Sequence, residues 1–156
     1  MVNQNLEELK KTMFLGEYFR TKDNKGRVFV PTNFREELIA GIIIAKGFDE
    51  KCLFLFSKPG WQGLQSKILS GPIAKKNTQV FSRWFFSSAK EAELDPQGRI
   101  KIPQDLSDYA GLKRDIVLIG ISERVEIWSK ESWEQYYSQA ESQFMSSNAT
   151  FDELGF

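Results

Sequence analysis

The sequence contains no histidine and only one cysteine, Cys52. Without an imidazole the chain cannot use Ser-His-Asp or Cys-His catalysis, a histidine general base or a histidine-ligated metal. One cysteine is too few for an intrachain disulfide, a zinc ribbon or an iron–sulfur site, and it fits a reducing compartment. Because Cys52 lies in an apolar stretch, we expect an inert, buried thiol. Phosphate-binding and dinucleotide-binding glycine motifs are also missing, so we expect no cofactor and no metal.

The chain also lacks an excess of charge and any long apolar run. Its 21 basic and 21 acidic residues give a formal net charge of zero, so nucleic-acid binding would require a local basic surface. The apolar runs Ile42–Ala45 and Cys52–Phe56 are much too short to span a bilayer. The start of the chain has no apolar core of the kind found in secretory signals. These absences predict a cytoplasmic protein, and 156 residues of ordinary composition can bury a core in one domain.

What the sequence does contain is an internal repeat. TKDNKGRVFVP (Thr21–Pro31) and ELDPQGRIKIP (Glu93–Pro103) are related by an offset of 72 residues. Identical residues at this offset are Asp23, Gly26, Arg27 and Pro31, matched by Asp95, Gly98, Arg99 and Pro103. Further on, the Ser-Lys-x-x-Trp motif at 57–61 recurs at 129–133. Units of roughly fifty residues rarely hold a core alone, so we expect the two units to share one.

Each Asp-x-x-Gly-Arg motif predicts a turn that leads into a strand. The aspartate can accept backbone N–H bonds within the turn, and Gly26 and Gly98 can supply a positive φ. Strict alternation after the turn predicts a core face formed by Val28, Val30, Ile100 and Ile102. Arg99 and Lys101 then share the opposite face. The proline that follows each strand lacks the N–H of a central ladder and is expected to end it.

Periodicity predicts the remaining elements. Short helices are expected at Asn33–Leu38 and Asp105–Ala110, and buried strands at Ile42–Ala45, Cys52–Phe56, Ile116–Ile119 and Arg124–Trp128. A helix follows each unit, with Ser129 as the predicted N-cap of the second, and a linker helix is expected around Gln79–Phe86. The second of these helices carries one apolar stripe formed by Trp133, Tyr136, Tyr137, Ala140 and Phe144. The tail Ser146–Phe156 is expected to be frayed.

These motifs carry a family resemblance. The doubled D-x-x-G-R-[VI]-x-[VI]-P motif is similar to the DNA-binding strand-turn-strand element of the AbrB type. Two such units in tandem, each followed by an apolar strand pair and S-K-x-x-W, resemble the MraZ family of bacterial transcriptional regulators. MFLGEY (13–18) resembles the usual start of that family, and Val117–Tyr136 resembles its second half. The resemblance covers about Met13–Phe144.

The resemblance implies both a fold and a function. The implied fold is α+β with a mainly β barrel core, an AbrB-like swapped-hairpin barrel formed by two pseudo-symmetric tandem repeats with packed helices. The implied function is sequence-specific transcriptional regulation, most simply repression, by ring-shaped homo-oligomers. Their partner would be double-stranded DNA with short direct repeats, in the promoter of the division and cell-wall gene cluster. The resemblance also implies that the protein is cytoplasmic and associated with the nucleoid. It implies no enzymatic activity, no membrane partner and no small-molecule substrate.

The repeat also divides the chain. Residues 1–12 form an N-terminal extension without an assigned role, and residues 13–76 form the first AbrB-like unit with its helix. Residues 77–145 contain the linker helix and the second AbrB-like unit with its C-terminal helix, and residues 146–156 form the tail.

The candidate DNA-binding residues lie in the two turns and the strands that follow them: Arg27, Arg99, Asp23, Asp95, Lys25 and Lys101. From the residues alone, each arginine could simply close its turn by an ion pair to the aspartate four residues earlier. It could also be held by that aspartate toward a phosphate or a guanine edge, which is the reading that the resemblance favours. Lys25 and Lys101 are weaker candidates, since exposed lysines are usually only solvated. Gly26 and Gly98 serve the turn backbone.

Two other classes of function stay open on the residues. The first is a protein-interaction module of the AbrB-like antitoxin or scaffold type, which could use the aromatic stripe of the last helix. The second is a carboxylate enzyme with Asp23 and Asp95 as an acid and base pair. The neighbouring arginines would lower the pKa of both carboxylates, whereas acid catalysis needs one of them raised.

Overall fold

A computed structural model describes residues 13–71 and 75–156 of the chain. The expected N-terminal extension, residues 1–12, lies outside the described residues. The strands are β1 (Phe14–Thr21), β2 (Arg27–Phe29), β3 (Ile42–Lys46), β4 (Leu53–Ser57), β5 (Lys90–Ala92), β6 (Arg99–Lys101), β7 (Asp115–Ser122) and β8 (Arg124–Ser129). The helices are α1 (Thr32–Leu38), α2 (Lys58–Leu69), α3 (Lys76–Ser88), α4 (Gln104–Tyr109), α5 (Lys130–Ser146) and α6 (Ala149–Leu154).

The strands form two antiparallel sheets, and each sheet contains strands of both repeats. The larger sheet has the order β1-β7-β8-β4-β3-β5, and β2 pairs with β6 in a separate two-stranded ribbon. The described fold is therefore α+β, as the sequence predicts.

The expected closed barrel is not seen, because the larger sheet is open. Within residues 13–71 and 75–156 it ends at β1, which pairs only with β7, and at β5, which pairs only with β3. The ribbon does not close the gap, because its three-residue strands pair with each other and with no strand of the larger sheet among the described residues.

The central strands of the larger sheet, β7, β8, β4 and β3, are buried on both faces, which explains their continuous apolar runs. Alternate residues of β3 show this: Ile42 and Ile44 belong to the core between the sheet, the ribbon, α1 and α4. Ile43 and Ala45 belong to a second core that also contains residues of α2, α3 and α5. The first core includes side chains of both repeats, which confirms the predicted shared core. The ribbon and the helix α3 thus lie on opposite faces of the sheet.

Most predicted elements are confirmed with shifted boundaries. Ser129 caps α5 by accepting from the N–H of Ser132 at 3.2 Å, and Gly111 follows α4 with a φ of +62°. The strand β7 is longer than its apolar run because it pairs with β1 over eight residues. The frayed tail is a correction: it forms the short helix α6, whose Phe151 ring lies 6.0 Å from the ring of Phe144.

None of the described helices is long and apolar enough to cross a membrane. Over the same residues, no cluster of acidic or cysteine side chains could hold a metal ion.

Candidate nucleic-acid interface

The outer face of the ribbon brings together residues of both repeats. Val28 and Ile100 point inward and are buried, so the alternate positions Arg27, Phe29, Arg99 and Lys101 point outward. We call these four residues the ribbon face. Across the ribbon Arg27 pairs with Lys101, and Phe29 pairs with Arg99. The guanidinium carbon of Arg99 lies 5.7 Å from the centre of the Phe29 ring, within cation–π range.

The first turn holds Arg27 through the carboxylate of Asp23. Oδ1 of Asp23 accepts from the backbone N–H groups of Lys25 and Arg27, both at 2.9 Å. Oδ2 accepts from Nε of Arg27 at 2.7 Å. Gly26 has a φ of +80°, which is the positive value that the motif predicts.

The second turn repeats the first almost atom for atom. Oδ1 of Asp95 accepts from the N–H groups of Gln97 and Arg99 at 2.9 Å, and Oδ2 accepts from Nε of Arg99 at 2.7 Å. Gly98 has a φ of +81°. The identical residues of the two motifs therefore form identical turns.

Hydrogen bonds in the turns keep both carboxylates charged. The backbone N–H of Arg27, its side chain and the N–H of Lys25 lower the pKa of Asp23 from 3.8 to about 2. The corresponding bonds, that from the backbone of Arg99 first, lower the pKa of Asp95. Neither group is therefore suited to donate a proton near neutral pH, which argues against the acid and base pair.

The ion pairs leave most donors of both arginines free. Within the described residues, the side-chain hydrogen bonds of Arg27 and Arg99 come from Nε alone, so the terminal nitrogens have no acceptor. Each aspartate fixes one edge of the guanidinium, and the other edge keeps the fork geometry that matches a phosphate or a guanine edge. The ion pair predicted as an alternative to ligand contact is thus present, and it is compatible with that contact.

Each turn is also fixed by the opposite repeat. The N–H of Val30 donates to the carbonyl of Gly98 at 3.0 Å, and the N–H of Ile102 donates to the carbonyl of Gly26 at 2.8 Å. The two Asp-Gly-Arg turns therefore lie at opposite ends of one ribbon in fixed relation to each other.

The predicted lysines lie in the same region. Lys101 is exposed on the ribbon face, and Lys25 is exposed in the first turn, where its backbone contacts Asp23.

Sequence reasoning missed Phe29 and Arg35. Phe29 is 46% exposed, and the alternation in RVFV could have placed it beside Arg27 on the outer face. Arg35 in α1 reaches the second turn, a contact between repeats that no local pattern could indicate.

The cysteine and the tryptophans take structural positions. Cys52 is buried as predicted, and this burial raises the pKa of its thiol. Trp128 is buried, and its indole N–H donates to Glu126 at 3.0 Å. Trp61 and Trp133 are partly buried and pack against the second core.

Comparison with known proteins agrees with the doubled architecture. The family model described as MraZ protein, with the added term antitoxin-like, matches the chain twice, over residues 13–84 and 85–154. Transcriptional regulator MraZ of Natranaerobius thermophilus is 48% identical over 132 residues, which are 85% of this chain and 92% of that protein. The protein of the same name from Moorella thermoacetica is 46% identical over equal shares. That of Acetivibrio thermocellus is 49% identical over 80% of this chain and 86% of its own. The chain therefore belongs to the MraZ family.

Proposed function

We propose that this protein is a transcriptional regulator that binds double-stranded DNA through the ribbon face. The observation that carries the proposal is the pair of arginines, Arg27 and Arg99, each held at Nε by an aspartate with its terminal nitrogens free. The similar proteins named transcriptional regulator MraZ support this choice of function.

A local surface explains how a chain without net charge can bind DNA. The ribbon face carries the cations Arg27, Arg99 and Lys101, while the aspartates of the turns are engaged with their own arginines. A two-stranded ribbon has the width to enter the major groove, and β-ribbons are an established class of groove readers. Arg27 and Arg99 then contact guanine edges or phosphates, with Lys25 and Lys101 as additional phosphate contacts.

One ribbon offers few charges, so the proposal includes a ring-shaped homo-oligomer. Contacts repeated around a ring act together through high effective concentration and match short direct repeats in DNA. Exposed apolar side chains along β1 and β7 support assembly, since neighbouring subunits could cover them: Met13, Leu15, Phe19 and Ile121. We call these four residues the β1–β7 patch. Leu15 and Ile121 are direct cross-strand partners, so these two side chains are adjacent.

Occupancy of a promoter by such a ring would repress transcription without catalysis. The target that we propose is the promoter of the division and cell-wall gene cluster, which places the protein at the nucleoid.

A mobility-shift experiment tests the proposal. The full-length chain is mixed with DNA from upstream of its own reading frame and, in parallel, with a shuffled fragment of equal length. We expect preferential binding of the upstream fragment, strongly weakened in Arg27→Ala and unchanged in the control Arg83→Ala. Arg83 is an exposed residue of α3, on the face of the sheet opposite the ribbon. Equal binding of both fragments, or of wild type and Arg27→Ala, would contradict the proposal.

One observation favours a second candidate, a protein-interaction module of the antitoxin or scaffold type. Tyr136, Tyr137 and Phe144 on α5 are partly exposed, and the family description includes the term antitoxin-like. A purified chain that fails to bind the upstream DNA would favour this candidate.

A further inference from the structure

The two ends of the ribbon differ by one guanidinium. Arg35 belongs to α1 of the first repeat, yet its side chain lies against the turn of the second repeat. Its Nε donates to the carbonyl of Val30 at 2.9 Å, and the N–H of Val30 donates to the carbonyl of Gly98. Arg35 is therefore tied to the strand end that also fixes the second turn.

The absence of a side chain at Gly98 makes room for this guanidinium. A Cβ built on Gly98 would lie 2.6 Å from Nε and Nη1 of Arg35, which is closer than two such atoms can approach. At Gly26 the added Cβ would instead meet backbone, the carbonyl oxygen of Ile102 at 3.0 Å. Gly98 therefore has two roles: it adopts the positive φ of the second turn, and its lack of a side chain leaves space for the guanidinium group of Arg35.

Among the described residues, no cation takes the corresponding place at the first turn. At the offset of the repeat, Arg35 corresponds to Ser107, which is only 2% exposed. The Oγ of Ser107 is buried without a hydrogen-bond partner in the part of the chain that the structure describes. A full positive charge therefore breaks the pseudo-symmetry of the ribbon at one of its ends.

Arg35 has donors left for a ligand. Nε makes its one hydrogen bond to the described residues, so Nη1 and Nη2 have no acceptor there. Arg99, at the same end, has its charge offset by Asp95, whereas no ion pair offsets Arg35 within the described residues. An anion with several oxygens would satisfy the free donors of Arg35 and offset its charge.

We propose that Arg35 contacts a backbone phosphate of the DNA at the Gly98 end of the ribbon. This inference rests on the proposed function. At the Gly98 end of the ribbon, Arg99 and Arg35 then both contact the DNA, whereas Arg27 contacts it at the Gly26 end. Because the two ends bind unequally, each ribbon has a preferred orientation on its site.

Titration with salt tests the phosphate contact. Full-length wild type, Arg35→Gln and the matched control Arg83→Gln are titrated against the upstream DNA over a range of salt concentrations. Loss of one charge-assisted bond should weaken binding by roughly tenfold per engaged subunit. The slope of log K against log salt should flatten by about 0.9 for each lost contact. Arg83→Gln should match wild type in both measurements. An Arg35→Gln variant that loses affinity with an unchanged slope would overturn the phosphate contact, since it would show a positioning role only.

A second pair of variants displaces the guanidinium without removing it. Gly98→Ala and Gly26→Ala impose a similar positive φ on alanine, but only the first puts a methyl group where Arg35 lies; the second puts it 3.0 Å from the carbonyl oxygen of Ile102. We expect Gly98→Ala to lose more DNA affinity than Gly26→Ala. The excess should disappear when both are made in the Arg35→Gln background, because the displaced contact is already absent. Equal losses in the wild-type background would overturn the inference, and this comparison decides the question even if Arg35→Gln fails to fold.

These outcomes separate the inference from the function on which it rests. If wild type does not bind the upstream DNA, the proposed function fails. If wild type binds, Arg27→Ala loses binding and Arg35→Gln equals wild type, then DNA binding stands and the role of Arg35 is wrong.

Discussion

Val28 and Ile100 lie directly opposite each other at the centre of the two-stranded ribbon, and both are fully buried. Each belongs to a different repeat, so this pair joins the two halves of the chain beneath the ribbon face. We expect Ile100→Ala to lower the free energy of unfolding by about 2–5 kcal/mol, because it leaves a cavity in the shared core. Ile100→Val should cost only about 0.5–1.5 kcal/mol.

Denaturant unfolding of the three proteins measures these differences. A loss below about 0.5 kcal/mol for Ile100→Ala, the range of ordinary surface substitutions, would contradict the burial of the ribbon against the sheet.

The positive φ of the turn glycines predicts that a side chain at these positions will destabilise the turn. Gly26 has a φ of +80°, which a β-branched residue adopts only with strain. Gly26→Val should therefore cost roughly 1–2 kcal/mol or more and displace the adjacent Arg27. Thermal unfolding and DNA affinity should both fall. If both stay at wild-type values, the turn geometry is wrong.

The carboxylate of Asp23 predicts a pH dependence of stability. Its pKa is lowered from 3.8 to about 2 in the folded protein by hydrogen bonds from the turn. A lowered pKa means that the charged carboxylate stabilises the fold above pH 4, and that this contribution is lost as the pH falls from about 4 to 2. The difference in unfolding free energy between wild type and Asp23→Asn should be constant from neutral pH to pH 4 and then shrink. If the difference in unfolding free energy is unchanged at pH 2, the charged carboxylate of Asp23 is not its source.

Assembly is predicted by the exposed β1–β7 patch. Leu15 is 59% exposed and pairs across the strands with Ile121, so we expect neighbouring subunits to cover both. Light scattering should show a homo-oligomer well above a dimer, and Leu15→Glu should lower its mass. Ile39→Glu, a control at an exposed apolar residue after α1, should leave the mass unchanged. A stable 18.0 kDa monomer at micromolar concentration would refute the prediction.

Patterns that act over a few residues made most of the fold predictable. Alternation places Val28 and Ile100 inside, and the Asp-x-x-Gly-Arg spacing predicts turns with glycines of positive φ, all of which the structure confirms. Sheet closure depends on which strands meet at the edges, and β1 and β5 do not meet. The tail helix was missed because it is only six residues long, has no side-chain cap at its start, and is joined to α5 by a contact between Phe144 and Phe151 that local patterns do not show.

The candidate site likewise contains residues that local patterns predict and one residue that they do not. Arg27 and Arg99 and their aspartates could be located from the repeat alone. The position of Arg35 could not, because its guanidinium reaches a glycine of the other repeat, 63 residues further along the chain. The function of these arginines depends on the molecule that they bind, and neither the periodicity of the sequence nor the geometry of a single chain identifies that molecule.

Arg27 can contact either bases or phosphates, and two readouts distinguish these modes. If Arg27 reads bases, Arg27→Ala should cost about 1–3 kcal/mol per engaged contact and relax discrimination among variants of the upstream DNA. If it grips phosphate, the loss should be nearly equal for all DNA, and the salt slope should flatten by about one unit per lost contact. Arg99→Ala should lose as much DNA affinity as Arg27→Ala if the two repeats contact DNA equally, and less if only the first repeat faces the DNA. Competition titrations at several salt concentrations measure both quantities.

The most direct test of the account is DNA binding by the double variant Arg27→Ala/Arg99→Ala. Both side chains are partly exposed and lie outside the apolar core, so the variant should stay folded and keep the wild-type oligomeric mass, with only a small loss of stability from the two missing ion pairs. Contacts that repeat around the assembly are lost together, so binding of the upstream DNA should be nearly abolished at a salt concentration where wild type binds. A folded, assembled double variant that binds this DNA with wild-type affinity would contradict the account.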